Sequence, residues 1–309
     1  MIMYIDPFFE VIVENGYTTP VAPVVDVAPQ QRVRQSYWTA LNNYRTRQGL
    51  DRISWVTWSI TIVTIAIWCF TAYQTALMVG THTLRDVLAN IIDNAVNIQD
   101  KDVNALTNVL IQYGAKDNSL MLQGQYWRFV TPIFLHENAL HVGLNMLNFV
   151  VLGVALERLV GHMRFLFIYL ITGIISIIAS FYFSPQDISV GASGAIFGLV
   201  GAYCIFVLVH RRAFPMWGIP ALLWLVVIIG INLGVGVVIP NVDNYAHVGG
   251  LLSGFCLGWL FMPFYKMSQT RTLEDTHRLA RRWPLALLTL AGTVLLASIA
   301  VVALHTTGG

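Results

Sequence analysis

The sequence predicts an all-α fold, a polytopic bundle of seven transmembrane helices with the N-terminus cytoplasmic and the C-terminus outside. Three observations predict it. First, 56% of the 309 residues are hydrophobic and only 11% are charged, and mean hydropathy is +0.64; a soluble domain of this length carries a much larger charged surface. Second, seven stretches are long and apolar enough to cross a bilayer, which takes about 20 residues. Third, the basic residues divide between the two sides of those stretches in the sense of the positive-inside rule.

The spans are read at about 55–79, 139–156, 165–183, 190–209, 215–238, 245–264 and 283–304. The second carries His141, Asn145 and Asn148, and the fifth carries Pro220 and Asn232. Fourteen of the 18 Lys and Arg fall before span 1 or between spans 2 and 3, 4 and 5, and 6 and 7; the other four (Arg85, Lys101, Lys116, Arg128) share the loop after span 1. The chain then divides into a cytoplasmic extension (1–52), a six-helix core (53–265, with 81–125 a long external loop) and a linker with a seventh helix (266–309). Apolar residues at helical spacing between Leu84 and Tyr113 predict an amphipathic helix on the membrane surface. The N-terminus has acidic residues where a signal peptide carries positive charge. Cys69, Cys204 and Cys256 lie in apolar runs without CxxC spacing and read as buried small hydrophobes. The net charge of +2 points to no nucleic-acid partner.

Strongly polar side chains inside a span are costly and mark function by default. Gly191-Ala192-Ser193-Gly194 opens span 4, placing Ser193 near a helix N-terminus whose free N–H groups attract negative charge. Taken alone the serine reads as small-residue packing, since Gly194-x3-Gly198 is a packing motif in its own right. His247 opens span 6; a lone histidine there reads as a satisfied core residue or a proton-relay member. Topology changes the balance. Spans 4 and 6 run in the same direction, so Ser193 and His247 begin at the same depth, and Gly250-x3-Gly254 gives span 6 a smooth face toward the glycines of span 4. Such a pair suits a nucleophile and its base. On span 2, His141 and Asn145 share one helix face at i, i+4 and can donate to a developing oxyanion, with an interhelical hydrogen-bond clamp as the competing reading for Asn145. His136-Glu137 upstream of His141 resembles HExxH, but the histidines are five apart, about 140° around a helix rather than about 40°, so no metal site is expected.

With these residues in place the sequence resembles the rhomboid family of intramembrane serine proteases. The resemblance runs from about Tyr113 to Phe264. It rests on an ordered set: Trp127-Arg128, His136, His141-x3-Asn145, Glu157, Gly191-Ala192-Ser193-Gly194 and Ala246-His247-x2-Gly250-x3-Gly254. It implies Ser193 as nucleophile, His247 as base in a dyad without aspartate, an oxyanion hole of His141, Asn145 and the Ser193 N–H, and Trp127-Arg128 as a brace for the external loop. It implies membrane-protein substrates cut in or beside a transmembrane helix at the external face, and neither metal nor other cofactor. Phe197 stands where the family often has Tyr; its ring can still stack under the histidine. Absence of a targeting signal fits a bacterial inner membrane. Two other readings compete: a non-catalytic rhomboid-like protein that binds transmembrane helices as a chaperone or retrotranslocation factor, and a transporter with span 5 as a broken helix.

Overall fold

The computed structural model describes residues 39–40, 43, 53–80, 100–210, 223, 227, 230, 242–267 and 273–308. Its elements are α1 (Trp55–Met78), α2 (Asp100–Gln112), α3 (Asn118–Leu122), two 3-10 turns (Tyr126–Phe129 and Thr131–Phe134), α4 (Ala139–Val160), α5 (His162–Phe183), α6 (Ser193–His210), α7 (Asn244–Phe261), β1 (Tyr265–Met267), β2 (Leu273–Asp275) and α8 (Leu279–Gly308). Five of the helices, α1, α4, α5, α6 and α8, are long and apolar enough to cross a membrane. The sixth expected span coincides in sequence with the 18-residue α7, which is not among those five. The expected fifth span lies outside the described residues apart from Leu223, Val227 and Gly230.

Lipid is as apolar as leucine, so helices in a membrane associate through close packing rather than through burial of greasy surface. The contact between α6 and α7 is built that way. A Cβ added at Gly250 would lie 2.0 Å from the Gly194 carbonyl oxygen, one at Gly254 2.1 Å from that of Gly198, and one at Gly201 2.4 Å from that of Leu251. The two backbones therefore touch along three turns. Helix α5 closes the other side of α6 with small hydroxyl residues: Thr172 fills the space at Gly198 and Ser176 the space at Gly194. Both hydroxyls turn back to their own helix, Thr172 Oγ1 donating to the Ile168 carbonyl at 2.8 Å and Ser176 Oγ to the Gly173 carbonyl at 2.7 Å. Aromatic rings fill the wider gaps, with Phe149 4.9 Å from Tyr169 and Phe167 5.1 Å from Phe261 between centroids.

The far end of the bundle is held by polar side chains. Helix α1 begins without a side-chain cap of its own. The fully buried Glu157 of α4 supplies the acceptors instead: its carboxylate takes the N–H groups of Val56 (3.1 Å) and Thr57 (2.8 Å) and the Thr57 hydroxyl (2.6 Å). A carboxylate suits the positive end of a helix. His162 Nδ1 also contacts Glu157, and its ring packs on Trp55. This explains why α4 runs to Val160, four residues past the expected span end. The charged Glu157 lies past the expected span end but is satisfied within the bundle. Gly161, at φ +91°, then reverses the chain into α5 with no intervening loop.

The structure adds detail to other expectations. An antiparallel hairpin, β1–β2, interrupts the all-α fold, with Tyr265 paired to Asp275. Buried Asp275 organises it, accepting from the Phe264 and His277 amides and pairing with Arg164 of α5 at 2.6 Å. In the stretch 84–113 a helix is seen over Asp100–Gln112, while 81–99 lie outside the described residues. Its apolar stripe is used against protein: Leu106 and Leu110 pack with Ile67 of α1, Ala115 and Leu135. Of the cysteines, Cys204 is buried but Cys69 and Cys256 are exposed, on the outward faces of α1 and α7. Helix α8 packs against the core through Leu285, Ala286, Ala297, Ala300, Val301 and Leu304.

Candidate functional site

Helix α6 begins at Ser193, and the turn before it is fixed residue by residue. Gly191 adopts φ +128°, which a residue with a Cβ rarely takes. Its N–H donates to the Pro132 carbonyl at 2.9 Å. The next N–H, of Ala192, donates to His136 Nε2 at 3.3 Å. His136 is fully buried, and desolvation, followed by the neighbouring His141, pushes its imidazole down to about 3. It is therefore neutral at neutral pH, as an acceptor nitrogen must be.

Helix α7 is started by Asp243, whose side chain accepts from the Ala246 N–H at 2.9 Å while its carbonyl accepts from the His247 N–H at 3.2 Å. His247 thus sits in the first turn of α7, as Ser193 sits in the first turn of α6. The close approach of the two glycine faces brings these turns side by side. His247 Nε2 lies 2.8 Å from Ser193 Oγ. Phe197, one turn along α6 from Ser193, stacks on the imidazole with centroids 4.5 Å apart and planes 18° from parallel. Among the described residues no side chain bonds His247 Nδ1, so the stacked ring is the orienting contact there. His247 is buried, whereas Ser193 is partly open.

On α4 the N-cap Asn138 accepts from the His141 N–H at 2.8 Å. His141 and Asn145 both reach the Gly191 turn: a Cβ built on Gly191 would lie 2.9 Å from His141 Nε2 and 3.7 Å from Asn145 Nδ2. His141 also meets His136 edge to face at 5.0 Å. Asn148 points away, its amide returned to the Leu144 carbonyl. Hence Ser193, His247, His141 and Asn145 converge from three helices, with His136 behind them and Gly194, Gly250 and Gly254 forming the seam that permits the approach.

Trp127 and Arg128 separate. Arg128 is buried, and its guanidinium donates to Gln125 Oε1 at 2.8 Å and to the Ala115 carbonyl at 2.7 Å. The Trp127 side chain is 55% exposed, so the bracing contacts come from its neighbour. Two contributors to the site escaped the sequence reading. The Pro132 carbonyl carries no side-chain signal. Asp243, three residues before Ala246, fits the N-cap pattern and was legible in principle.

The Rhomboid domain model matches residues 123–264, which contain the whole cluster. The rhomboid protease GluP of Bacillus subtilis is 48% identical over 150 residues, 48% of this chain and 29% of GluP. RHOMBOID-like protein 6, mitochondrial, of Arabidopsis thaliana is 41% identical over half of each chain. The chain thus spans only part of the length of these relatives. RHOMBOID-like protein 2 of Arabidopsis thaliana is 32% identical over 266 residues, 82% of both chains. With that coverage, an apolar multi-helix bundle and a matching domain, the chain is an integral multi-pass membrane protein and belongs to the rhomboid family.

Proposed function

We propose that this protein is an intramembrane serine endopeptidase that cuts the transmembrane segments of other membrane proteins near the external face of the bilayer. The observation that carries the reading is the 2.8 Å contact between Ser193 Oγ and His247 Nε2. That contact is within the range for a nucleophile and its base. Ser193 Oγ bonds the scissile carbonyl carbon as its proton passes to His247 Nε2, which returns it to the leaving amine; water then hydrolyses the acyl-enzyme by the same route. His141, Asn145 and the Ser193 N–H donate to the oxyanion. No metal or other cofactor enters this scheme. The name of GluP as a rhomboid protease supports the same class.

The basic-residue distribution supports seven spans, a cytoplasmic N-terminus and extension (1–52), and a site at the outer face. On this reading 53–265 is the protease core, 266–309 supplies the linker and seventh helix, and the membrane is a bacterial inner membrane.

The test is cleavage of a single-span model substrate in proteoliposomes, with fluorophosphonate labelling, by wild type and Ser193→Ala, each shown folded by thermal melt. Wild type is expected to cut and to take the label, and the variant to do neither. Cleavage persisting in Ser193→Ala would exclude Ser193 as nucleophile, and an intact but unlabelled wild type would favour a helix-binding role. Asn145→Ala is expected to lower kcat by about 100-fold, the usual worth of one oxyanion donor, with cleavage still measurable because His141 and a backbone N–H remain. A loss as complete as that of Ser193→Ala would assign Asn145 to the architecture instead.

A further inference from the structure

We propose that Lys116, in the loop between α2 and α3, is a positioning residue that holds the segment leading into the Ser193 turn in working register. The proposal rests on the reading of Ser193 and His247 given above.

Lys116 is fully buried although it lies in a loop. Its main chain forms an isolated antiparallel bridge with Ser189, the Lys116 N–H donating to the Ser189 carbonyl (3.0 Å) and the Ser189 N–H to the Lys116 carbonyl (3.3 Å). Its ammonium donates to the carbonyls of Ser184 and, at 2.7 Å, Asp187. One residue thus ties down 184–189, the segment that leads into Gly191 and Ser193. Its neighbours reinforce the grip from the loop side. Asn118 Nδ2 donates to the Phe181 carbonyl at 2.7 Å, Arg128 holds the Ala115 carbonyl, and Thr131 Oγ1 donates to the Gly114 carbonyl at 2.6 Å. A cation among carbonyls at the end of α5 is favourable because the helix dipole is negative there.

The ammonium also reaches the partner helix electrostatically. The carboxylates whose charge acts on it are Asp243, Asp187 and Asp117, with Asp243 the strongest. Asp243 is the cap of α7, bonded to the Ala246 N–H and, through its carbonyl, to the His247 N–H. Lys116 therefore bonds the segment before Ser193 directly and acts on the α7 cap only through its field. Burial lowers its pKa to about 8 against the pull of those three carboxylates, so the positive charge that does this work is lost as pH rises through that value.

The test uses the full chain in proteoliposomes: wild type, Lys116→Met, Lys116→Arg and Ser193→Ala. The readouts are kcat and KM from about pH 6 to about pH 10, and amide hydrogen exchange across 184–192, corrected for intrinsic pH dependence. Lys116→Met is expected to reduce kcat about tenfold or more with KM within about twofold, the scale of a lost charge-assisted bond, and to speed exchange at 184–192. Lys116→Arg is expected to recover much of kcat and to extend the active range to higher pH. Wild-type kcat is expected to fall, and exchange to rise, through about pH 8. Folded Lys116→Met with wild-type kcat and exchange overturns the proposal. If that variant does not fold, Lys116→Gln is read in its place, and wild-type kcat and exchange in the folded Lys116→Gln overturn the proposal. Exchange needs no catalysis, so failure of the protease reading appears separately, as cleavage by Ser193→Ala.

Discussion

His247→Ala is expected to abolish cleavage, by at least about 1000-fold in kcat, while the melting transition stays near that of wild type. The imidazole is the only base within reach of Ser193 Oγ among the described residues, and it gains no carboxylate partner there. Serine at its ordinary pKa is a poor nucleophile, so losing the base leaves only the donors around the oxyanion. The alanine opens a void beside Phe197, which costs little where the ring can settle into it. The measurement is single-span substrate cleavage in proteoliposomes together with the fluorophosphonate labelling rate. Labelling at the wild-type rate would show that Ser193 needs no help from His247 and would remove the dyad from the mechanism.

Gly254→Val is expected to damage the fold itself. The new Cβ would lie 2.1 Å from the Gly198 carbonyl oxygen and 2.7 Å from its carbon, and neither can swing aside as a flexible side chain would. Either α6 and α7 separate or both bend; overpacking of this kind costs about 3 kcal/mol or more. A fall in thermal midpoint of many degrees is expected, with activity lost in proportion to the unfolded fraction. Gly292→Val is the matched control, because nothing lies within 4 Å of a Cβ at Gly292. Equal midpoints for the two variants would mean that the glycine seam does not carry the α6–α7 contact.

How much of this was legible depended on what kind of signal each feature leaves. Helices on both sides of the site announce themselves through long apolar runs, and Ser193, His247, His141 and Asn145 stand out because polarity inside such runs is rare. Their convergence followed from direction of travel plus the glycine spacing, both one-dimensional properties. The end of α4 did not follow. Charge at Glu157 reads as an exit from the membrane, and only the amides of Val56 and Thr57, about a hundred positions earlier, reveal it as an interior group. The β1–β2 hairpin is too short for periodicity to register, being three residues a side. Lys116 looked like one more loop cation, since nothing local distinguishes a lysine that meets water from one that meets carbonyls.

The pairing of Glu157 with α1 also has a bearing on biogenesis. Val56 and Thr57 emerge from the ribosome some 100 residues ahead of the carboxylate that satisfies them. At a synthesis rate of about 5–20 residues per second, those amides wait roughly 5–20 s for that carboxylate to be made. Its leading end is therefore finished only when the fourth helix arrives, so the start of α1 is completed by a part of the chain made long after it.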